Sequence, residues 1–421
     1  MKKITLFLFI LGICVIVVFN FVPKSFLISI IPNNFYKFVK SNMPQNLFAV
    51  VQVFLDNKRS TLRLNNDYNS KFLPSSQFLK LNLTKIKLDL DEEGISGYAP
   101  HLKSKSIKTF FIESKNENIF IISKQGKFFY TNIKNLKKNK IFKIKNNLEG
   151  LVILDLLVDN KSFYISAFNK KSKCKQLIIL KSNFELEKSN FKIIKKFEGC
   201  FESIQAGKMA FYKKNQSILI STAADILKND DESDEKPQNL NSSYGKIVIL
   251  NTVNNMHKTF SYGHRNVLGL YAKNDLVLAT ENGPAGGDEI NKIKLGNNYG
   301  WPIASYGEKY NHEYKNVSNY KKNHEEYDFV EPIFSFVPSI GISEIVKIDN
   351  NFSPLWQDNY LVASLNSRHL FRLKFDKNIS SLKFYEKIFI NERIRDLLYL
   401  KKERVILLAL EESGSIGILK R

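Results

Sequence analysis

Residues 359–375 read NYLVASLNSRHLFRLKF, two short runs of β-forming residues on either side of a polar turn. This arrangement is typical of a β-hairpin. The same pattern recurs five more times, at residues 118–133, 162–180, 217–250, 275–293 and 404–420. The sequence therefore predicts six hairpins in succession.

The spacing of these hairpins decides between two all-β folds. Their starts lie 44 to 84 residues apart, as expected when each unit is a four-stranded blade with loops of variable length. The alternative is a β-sandwich of unrelated hairpins, but the repeats fill about 300 residues, too many for one sandwich. We therefore predict an all-β, six-bladed β-propeller over residues 96–421. Propeller ligand sites form from loops at one end of the central channel, so the loop-rich interval 275–359 is where we expect function.

The composition fits a folded domain and argues against two other classes of protein. The chain has 421 residues, of which 43% are hydrophobic and 13% aromatic, so it is not disordered or collagen-like and can bury a sizeable core. The 63 Lys+Arg exceed the 41 Asp+Glu, which gives a net charge of +22. These cations are spread along the whole chain and form no basic stripe, so we predict no nucleic-acid partner.

The N-terminus carries a membrane-targeting signal. Lysines at positions 2 and 3 precede the apolar run 4–22, which is long enough to cross a bilayer. Residues 1–24 are therefore predicted to be a transmembrane helix that acts as a membrane anchor or uncleaved signal. The alternatives are a cleaved signal peptide and, less well matched, a lipoprotein site at Cys14. The lysines would stay in the cytoplasm, which places the propeller in the periplasm or outside the cell. Residues 25–95 form a membrane-proximal segment of unknown role.

The cysteines allow one disulfide at most. Three cysteines are too few for a disulfide scaffold. Cys14 lies within the N-terminal apolar run, which leaves Cys174 and Cys200 as a candidate pair. The sequence leaves open whether they form a bridge or remain free, buried thiols.

Four short motifs follow one another in the second half of the chain. They are Gly-His-Arg-Asn at 263–266, Gly-Pro at 283–284, Asp-Glu-Ile-Asn at 288–291 and Asn-Tyr-Gly-Trp-Pro at 298–302. In order and spacing they resemble the glucose/sorbosone dehydrogenase family, the soluble aldose sugar dehydrogenases that use pyrroloquinoline quinone (PQQ). Residues 360–375 and the sequence Glu-Arg-Ile-Arg-Asp-Leu at 392–397 also resemble this family, with its paired arginines. The resemblance is good over residues 200–310 and 355–421, and the first 95 residues do not share it.

The resemblance implies a propeller that oxidises sugars with PQQ, a planar quinone that carries three carboxylates. Guanidinium groups pair with carboxylates and stack on flat rings, so Arg265, Arg393 and Arg395 would hold this cofactor. The alternative for each arginine is a structural salt bridge, with Asp396 or Glu392 as the partner.

The resemblance also implies roles for three further parts of the site. Asn266 would contact the quinone, and the carbonyl groups of Gly283 and Pro284 would help to bind Ca²⁺, a cation that prefers oxygen ligands. The acidic motif at 288–291 is expected to fix the loop after the strand and not to touch the substrate. The expected ligand is a small carbohydrate.

Two positions depart from the family's pattern. The resemblance implies a catalytic histidine, which accepts the sugar hydroxyl proton, where this chain has Ile204, and an acidic partner where it has Ser203. Isoleucine accepts no proton, so general-base catalysis, worth about 10²–10⁴ in rate, is missing from that position. No histidine occurs between His101 and His257, so a shifted alignment does not restore it. Asn366 stands where the resemblance implies a cofactor-contacting lysine.

Two other residues, His264 and Glu149, are candidates for a replacement base. The resemblance assigns His264 to the start of a strand, and Glu149 would need burial to raise its pKa toward 7. The sequence therefore leaves two functions open. One is a membrane-anchored, extracytoplasmic sugar dehydrogenase with altered chemistry. The other is a non-catalytic propeller that binds a carbohydrate or a partner protein.

Overall fold

The computed structural model describes residues 79, 81–90, 95–96, 106–170, 172–201, 206–213, 217–224, 236–309 and 319–421. Within these residues no helix is both long enough and apolar enough to cross a membrane. The predicted anchor at residues 1–24 and most of the segment 25–95 lie outside them. The transmembrane helix therefore stays a prediction.

Most regular structure in the described residues is β-sheet, as the short β-rich runs predict. The strands, numbered in chain order, are β1 (Asn82–Lys87), β2 (Ile95–Ser96), β3 (Ser106–Ile107), β4 (Phe110–Lys115), β5 (Asn118–Ser123), β6 (Phe128–Thr131), β7 (Phe142–Asn146), β8 (Leu151–Val158), β9 (Ser162–Asn169), β10 (Ile178–Asn183), β11 (Lys188–Ser189), β12 (Lys192–Lys196), β13 (Met209–Tyr212), β14 (Ser217–Ser221), β15 (Lys246–Asn251), β16 (His257–Tyr262), β17 (Val267–Lys273), β18 (Leu276–Glu281), β19 (Asp288–Lys292), β20 (Phe334–Phe336), β21 (Ile342–Ile348), β22 (Asn359–Ser364), β23 (His369–Phe375), β24 (Leu382–Phe389), β25 (Ile394–Leu400), β26 (Val405–Leu410) and β27 (Ser415–Lys420). The same residues include a short helix, α1 (Ile133–Leu136), and 3-10 helices at His324–Tyr327 and Pro354–Trp356.

The strands build six antiparallel blades around a central channel. Blade 1 contains β4 to β7, blade 2 contains β8, β9, β10 and β12, blade 3 contains β13 to β16, blade 4 contains β17 to β20, blade 5 contains β21 to β24, and blade 6 contains β25 to β27 with β1. The short strand β11 extends blade 1, and β2 pairs with β3. Each inner strand contacts the inner strands of both neighbouring blades, so β4, β8, β13, β17, β21 and β25 form a closed ring. The predicted six-bladed propeller is confirmed.

The ring is closed by strands from opposite ends of the described chain. Strand β1 pairs with β27, with Asn82 opposite Lys420 and Lys87 opposite Ser415. Blade 6 therefore takes its outermost strand from a segment before residue 96, which is the predicted start of the propeller. The outward side chains of β1 are mostly exposed, which is typical of an edge strand.

Aromatic residues fill the spaces between blades. Phe163 of blade 2 lies edge-on against Phe120 and Phe128 of blade 1, with both ring-centre distances at 5.1 Å. All three side chains are fully buried. Edge-to-face contacts of this kind add to the free energy gained from burying the rings.

One end of the channel collects the loops that the motifs mark. In each blade the inner strand begins, and the second strand ends, at this end, which we call the channel mouth. Backbone hydrogen bonds join the residues before the inner strand to the residues after the second strand. Asn282 N donates to Asn266 O at 2.9 Å in blade 4, and Glu411 N donates to Arg393 O at 3.0 Å in blade 6. The mouth therefore brings together the loops that carry Arg265, Gly283–Pro284 and Arg393–Arg395.

The two candidate cysteines form a disulfide in this structure. Cys174 lies between β9 and β10, and Cys200 follows β12, so both belong to loops at the mouth end of blade 2. The bond joins two segments 26 residues apart. The sequence left open a bridge or two free thiols, and the structure has the bridge.

Candidate functional site

Arg265 is a buried cation at the channel mouth. Its Nη1 donates to the carbonyl oxygens of Asn282 and Gly283 at 2.9 and 3.0 Å, and its guanidinium carbon lies 5.2 Å from the centre of the Trp301 ring. Its Nε is buried and has no hydrogen-bond partner, and no carboxylate of the described residues pairs with it. No salt bridge therefore joins the Arg265 guanidinium to a carboxylate of the described residues, although the acids Glu281 and Glu289 line the same cavity.

Asp288 holds the loop that carries Gly283 and Pro284. Its Oδ1 accepts hydrogen bonds from Gly283 N and Ser339 Oγ, both at 3.0 Å, and its Oδ2 accepts from the N–H groups of Ile340 and Ile342, both at 2.9 Å. Burial raises the pKa of Asp288, and these donors oppose the rise. As the sequence predicted, the first carboxylate of the acidic motif fixes the loop.

Close approach between two loops explains the glycines after Pro284. Gly287 has a φ of +70°, and a Cβ there would lie 2.2 Å from the backbone nitrogen of Gly307. The two loops are also joined by hydrogen bonds between Ala285 and Glu308 at 3.1 and 3.2 Å. A side chain at 287 would push the loops apart and displace the carbonyls beside Arg265.

These residues do not fit the calcium ion that the resemblance implies. The Gly283 carbonyl already accepts a hydrogen bond from Arg265, and Ser339 Oγ donates to the Pro284 carbonyl at 3.4 Å. A guanidinium 3.0 Å from an oxygen disfavours a divalent cation at the same atom, because like charges repel strongly at this range. Nowhere in the described ranges could three or more His, Cys, Asp or Glu residues together hold a metal ion.

Arg393 and Arg395 share a single carboxylate. Glu411, at the end of β26, is fully buried; its Oε2 accepts from Arg393 Nε at 3.1 Å and its Oε1 from Arg395 Nε at 2.6 Å. Thr109 Oγ1 donates to the same carboxylate at 2.7 Å. Burial alone would raise the pKa of Glu411, but the two arginines outweigh it and lower that pKa to about 2. The pair therefore keeps one positive charge that Glu411 does not neutralise.

Both arginines make the structural salt bridge that was the alternative to cofactor binding, but the two partners predicted for it, Asp396 and Glu392, were wrong. Asp396 instead lies 3.2 Å from the ammonium of Lys208, and Glu392 lies 2.6 Å from that of Lys85. Strand register is the reason, because the pairing of Ile394 with Leu410 brings the residue after Leu410 opposite Arg393. No signal in the sequence alone marks Glu411, which lies in an ordinary hairpin turn.

Neither replacement base is placed to act. His264 is fully buried, with Nε2 at 2.8 Å from Ser261 Oγ and Nδ1 at 3.0 Å from Glu281, so both ring nitrogens are engaged. Its ring also stacks on Tyr299 at 4.7 Å. Glu149 is exposed, so it lacks the burial that its proposed role required. His264 is thus a structural residue that supports the strand start.

Other predicted site residues are placed as follows. Asn266 is fully buried, and its carbonyl joins the first and second strands of blade 4. Asn366 is exposed in the turn between β22 and β23. Ile204 and Ser203, on which the missing-base argument depends, lie outside the described residues.

Glu289 faces a small polar cavity behind Arg265, a feature that the sequence did not predict. The cavity is lined by Arg265, Trp301 and Glu289 among others. Burial and the nearby Glu281 raise the pKa of Glu289 well above its usual range. His324, also buried, has Nε2 at 3.6 Å from Glu289. Glu289 is thus a buried acid in the wall of this cavity.

A charged cluster crosses the central channel below the mouth. The ammonium of Lys208 lies 2.7 Å from Asp155, 2.6 Å from Glu344 and 3.2 Å from Asp396. These residues come from four different blades, and their side chains are at most 8% exposed. The cluster therefore ties blades 2, 3, 5 and 6 together through one lysine.

Comparison with known proteins agrees with this architecture. The sequence model of the glucose/sorbosone dehydrogenase family matches residues 102–419. An uncharacterized protein of Synechocystis is 28% identical over 197 residues, 43% of this chain and 47% of the relative. The aldose sugar dehydrogenase YliI of Escherichia coli is 30% identical over 115 residues, 26% and 29% of the two chains. The matched segments thus span less than half the length of these curated relatives.

Solved structures share the fold at low sequence identity. A crystal structure of a glucose dehydrogenase aligns with a TM-score of 0.63 at 19% identity over 80% of this chain and 99% of the other. The PQQ-bound aldose sugar dehydrogenase of Streptomyces coelicolor aligns with a TM-score of 0.57 at 15% identity over 81% and 98%. At these identities the likeness concerns the fold alone. The family match covers most of the sequence, and the chain belongs to the glucose/sorbosone dehydrogenase family.

Proposed function

We propose that this protein binds PQQ at the channel mouth and acts as a sugar dehydrogenase whose proton acceptor differs from the family's usual histidine. The observation that carries the proposal is the set of three guanidinium groups there that lack a carboxylate partner of their own. Arg393 and Arg395 share one carboxylate, and Arg265 pairs with none in the described chain. A planar tricarboxylate would supply the missing negative charge. PQQ-bound relatives of the same fold support this choice of ligand.

The residues of the mouth would bind and orient the ligand. Arg393 and Arg395 offer the guanidinium nitrogens that do not contact Glu411, of which Arg393 Nη1 makes a long hydrogen bond of 3.4 Å to the Leu365 carbonyl, and Arg265 offers its unpartnered Nε. Glu411 fixes the two arginines in place, because a buried carboxylate holds both side chains at hydrogen-bond distance. When bound, PQQ would supply a two-electron acceptor for oxidation of a sugar hydroxyl. Calcium is not part of this proposal, because the Gly283 and Pro284 carbonyls already accept other donors.

Binding of PQQ to the purified protein tests the proposal. We expect wild-type protein to quench or shift PQQ fluorescence, and Arg395→Ala to weaken binding by about 10- to 100-fold, because a hydrogen-bonded charge pair is lost. Arg404→Ala is the matched control, since Arg404 is exposed at the opposite end of blade 6. A melting curve of each free variant checks that the fold is retained.

Two outcomes of that titration would count against parts of the proposal. No binding by wild-type protein at micromolar PQQ would refute the cofactor. A large gain in affinity on adding Ca²⁺, abolished by a chelator, would contradict the conclusion that the loop does not fit calcium.

A second candidate function is a non-catalytic propeller that binds a carbohydrate or a partner protein. The observation that favours it is Ile204, since this chain lacks the family's proton acceptor at that position. Bound PQQ without sugar oxidation would support this candidate over the first. Fold alone does not separate the two, because function resides in the site.

We propose in addition that residues 1–24 anchor the propeller on the outer side of the cytoplasmic membrane. The lysines at positions 2 and 3 support this orientation, and the disulfide between Cys174 and Cys200 is of a kind that persists in oxidising compartments. The full chain is expected to sediment with membranes and to expose its C-terminus to protease in spheroplasts. A chain without residues 1–24 should stay in the cytoplasm. Protection of the C-terminus from protease would reverse the orientation.

A further inference from the structure

Lys124 lies beside the arginine pair at the channel mouth, in the turn between β5 and β6 of blade 1. Its backbone N–H donates to the carbonyl of Thr109 at 2.9 Å. The hydroxyl of Thr109 in turn donates to Glu411 at 2.7 Å. Lys124 is therefore anchored through one residue to the carboxylate that holds Arg393 and Arg395.

Charge at this place is not balanced. Arg393 and Arg395 share the single carboxylate of Glu411, and Lys124, which is joined to the same place through Thr109, adds a third cation without adding a carboxylate. The acids next to Arg393 and Glu411 in the sequence pair with other cations, with Glu392 at 2.6 Å from Lys85 and Glu412 at 3.1 Å from Arg368. Within the described chain no hydrogen bond reaches the ammonium of Lys124.

The pKa of Lys124 is lowered by its surroundings. Burial first, and then the positive charge of Arg395, lower the pKa of Lys124, while Glu411 only partly opposes them. A lysine kept for stability would be paired, because an unpaired and partly buried ammonium destabilises the folded protein. An anion bound at the mouth would pair with the ammonium and remove this destabilisation. The free energy of anion binding would therefore be more favourable by the same amount.

We propose that Lys124 is an anion-binding residue, which joins Arg393 and Arg395 to hold a carboxylate group of the ligand at the channel mouth. The inference deepens the proposed function and rests on it for the identity of the ligand, PQQ. It adds a blade 1 residue to the predicted cofactor-binding arginines, which lie on blades 4 and 6. The chemistry that recognises the ligand is that of a compact ammonium beside two guanidinium groups, which suits a planar molecule with more than one carboxylate.

The test compares Lys124→Met with wild-type protein in two measurements. Affinity for PQQ is expected to fall by about 10- to 100-fold in the variant. The melting temperature of the free protein is expected to stay the same or to rise, because an unpaired buried charge has been removed. A loss of affinity without a loss of stability is the signature of a binding residue. Lys124→Arg should retain most of the affinity, and Lys127→Met, in the same turn, is the control and should change neither quantity.

Citrate, a simple tricarboxylate, separates this inference from the proposed cofactor. If citrate raises the melting temperature of wild-type protein but not of Lys124→Met, the anion site is supported even where PQQ fails to bind. If PQQ binds wild type and Lys124→Met equally, the inference is overturned while the proposed function stands. It is equally overturned if Lys124→Met lowers the melting temperature and leaves the affinity unchanged, or if neither PQQ nor citrate affects wild-type protein.

Discussion

Replacing Lys208 by Met is expected to lower the free energy of unfolding by about 3–5 kcal/mol. The ammonium of Lys208 lies within 2.6 to 3.2 Å of Asp155, Glu344 and Asp396. Its removal leaves three buried carboxylates facing one another without the cation that joins them. Methionine has a similar length, so the loss reflects charge and not a cavity. Chemical denaturation of both proteins, followed by tryptophan fluorescence, measures the difference.

The effect of Lys208→Met should depend on pH. Burial raises the pKa of Glu344 to about 8 and that of Asp155 to about 6, even with the lysine present. Such acids bind a proton more tightly in the folded state, so they contribute stability below their ordinary pKa and lose it as the pH rises through the raised value. Glu113, whose pKa burial raises to about 8, acts in the same direction. We therefore expect both proteins to lose stability between pH 5 and pH 8, and the variant to lose more.

Lys401→Met provides the control for this experiment. Lys401 also makes a close ion pair, at 2.7 Å to Asp349, but its side chain is 65% exposed. Exposed pairs contribute about 0–1 kcal/mol because water screens them. If Lys208→Met proved as mild as Lys401→Met, the channel cluster would not be what holds the blades together.

Introducing a base at position 204 is expected to raise sugar oxidation by about 10²–10⁴-fold. The change is Ile204→His together with Ser203→Asp, since a carboxylate orients the imidazole and stabilises its protonated form. Both positions lie outside the described residues, so this expectation rests on the sequence alone. Steady-state oxidation of an aldose by protein loaded with PQQ measures the effect.

Ile204→Leu is the matched control, since leucine offers no proton acceptor and should leave turnover at the wild-type level. Rapid aldose oxidation by the unmodified protein would refute the idea that a base is missing. If instead PQQ binds and the double variant stays inactive, the non-catalytic function becomes the better one.

The six blades could be predicted because each signals itself locally. A hairpin combines two apolar or alternating runs with a turn, and all of these lie within a few residues of one another. Strand β1 gave no such signal. Its sequence, NLTKIK, is short and mostly exposed, and its partner residue Lys420 lies at the other end of the chain. Pairing between distant segments leaves no local pattern to detect.

The site was predictable in its motifs and not in its pairings. The motif at 263–266 marked Arg265, which the structure places on a loop at the channel mouth, and its predicted contact with the cofactor stays a prediction. The partner of Arg393 and the closeness of Lys124 depend on strand register and on blade order, which motifs do not encode. A usable signal did exist for the channel cluster. Asp155 lies alone in the apolar strand LVILDLLV, and an isolated charge in such a run predicts a buried partner.

The pairing of β1 with β27 joins the first and last strands of the propeller and covers the outer edge of β27. If β1 were absent, the backbone N–H and C=O groups along the outer edge of β27 would face water, next to apolar residues such as Ile418 and Leu419. An exposed edge of this kind is a template for association between molecules. A truncation placed at residue 96, at the boundary that the hairpin pattern suggests, would open that edge. A recombinant version intended to stay monomeric therefore has to begin before Asn82.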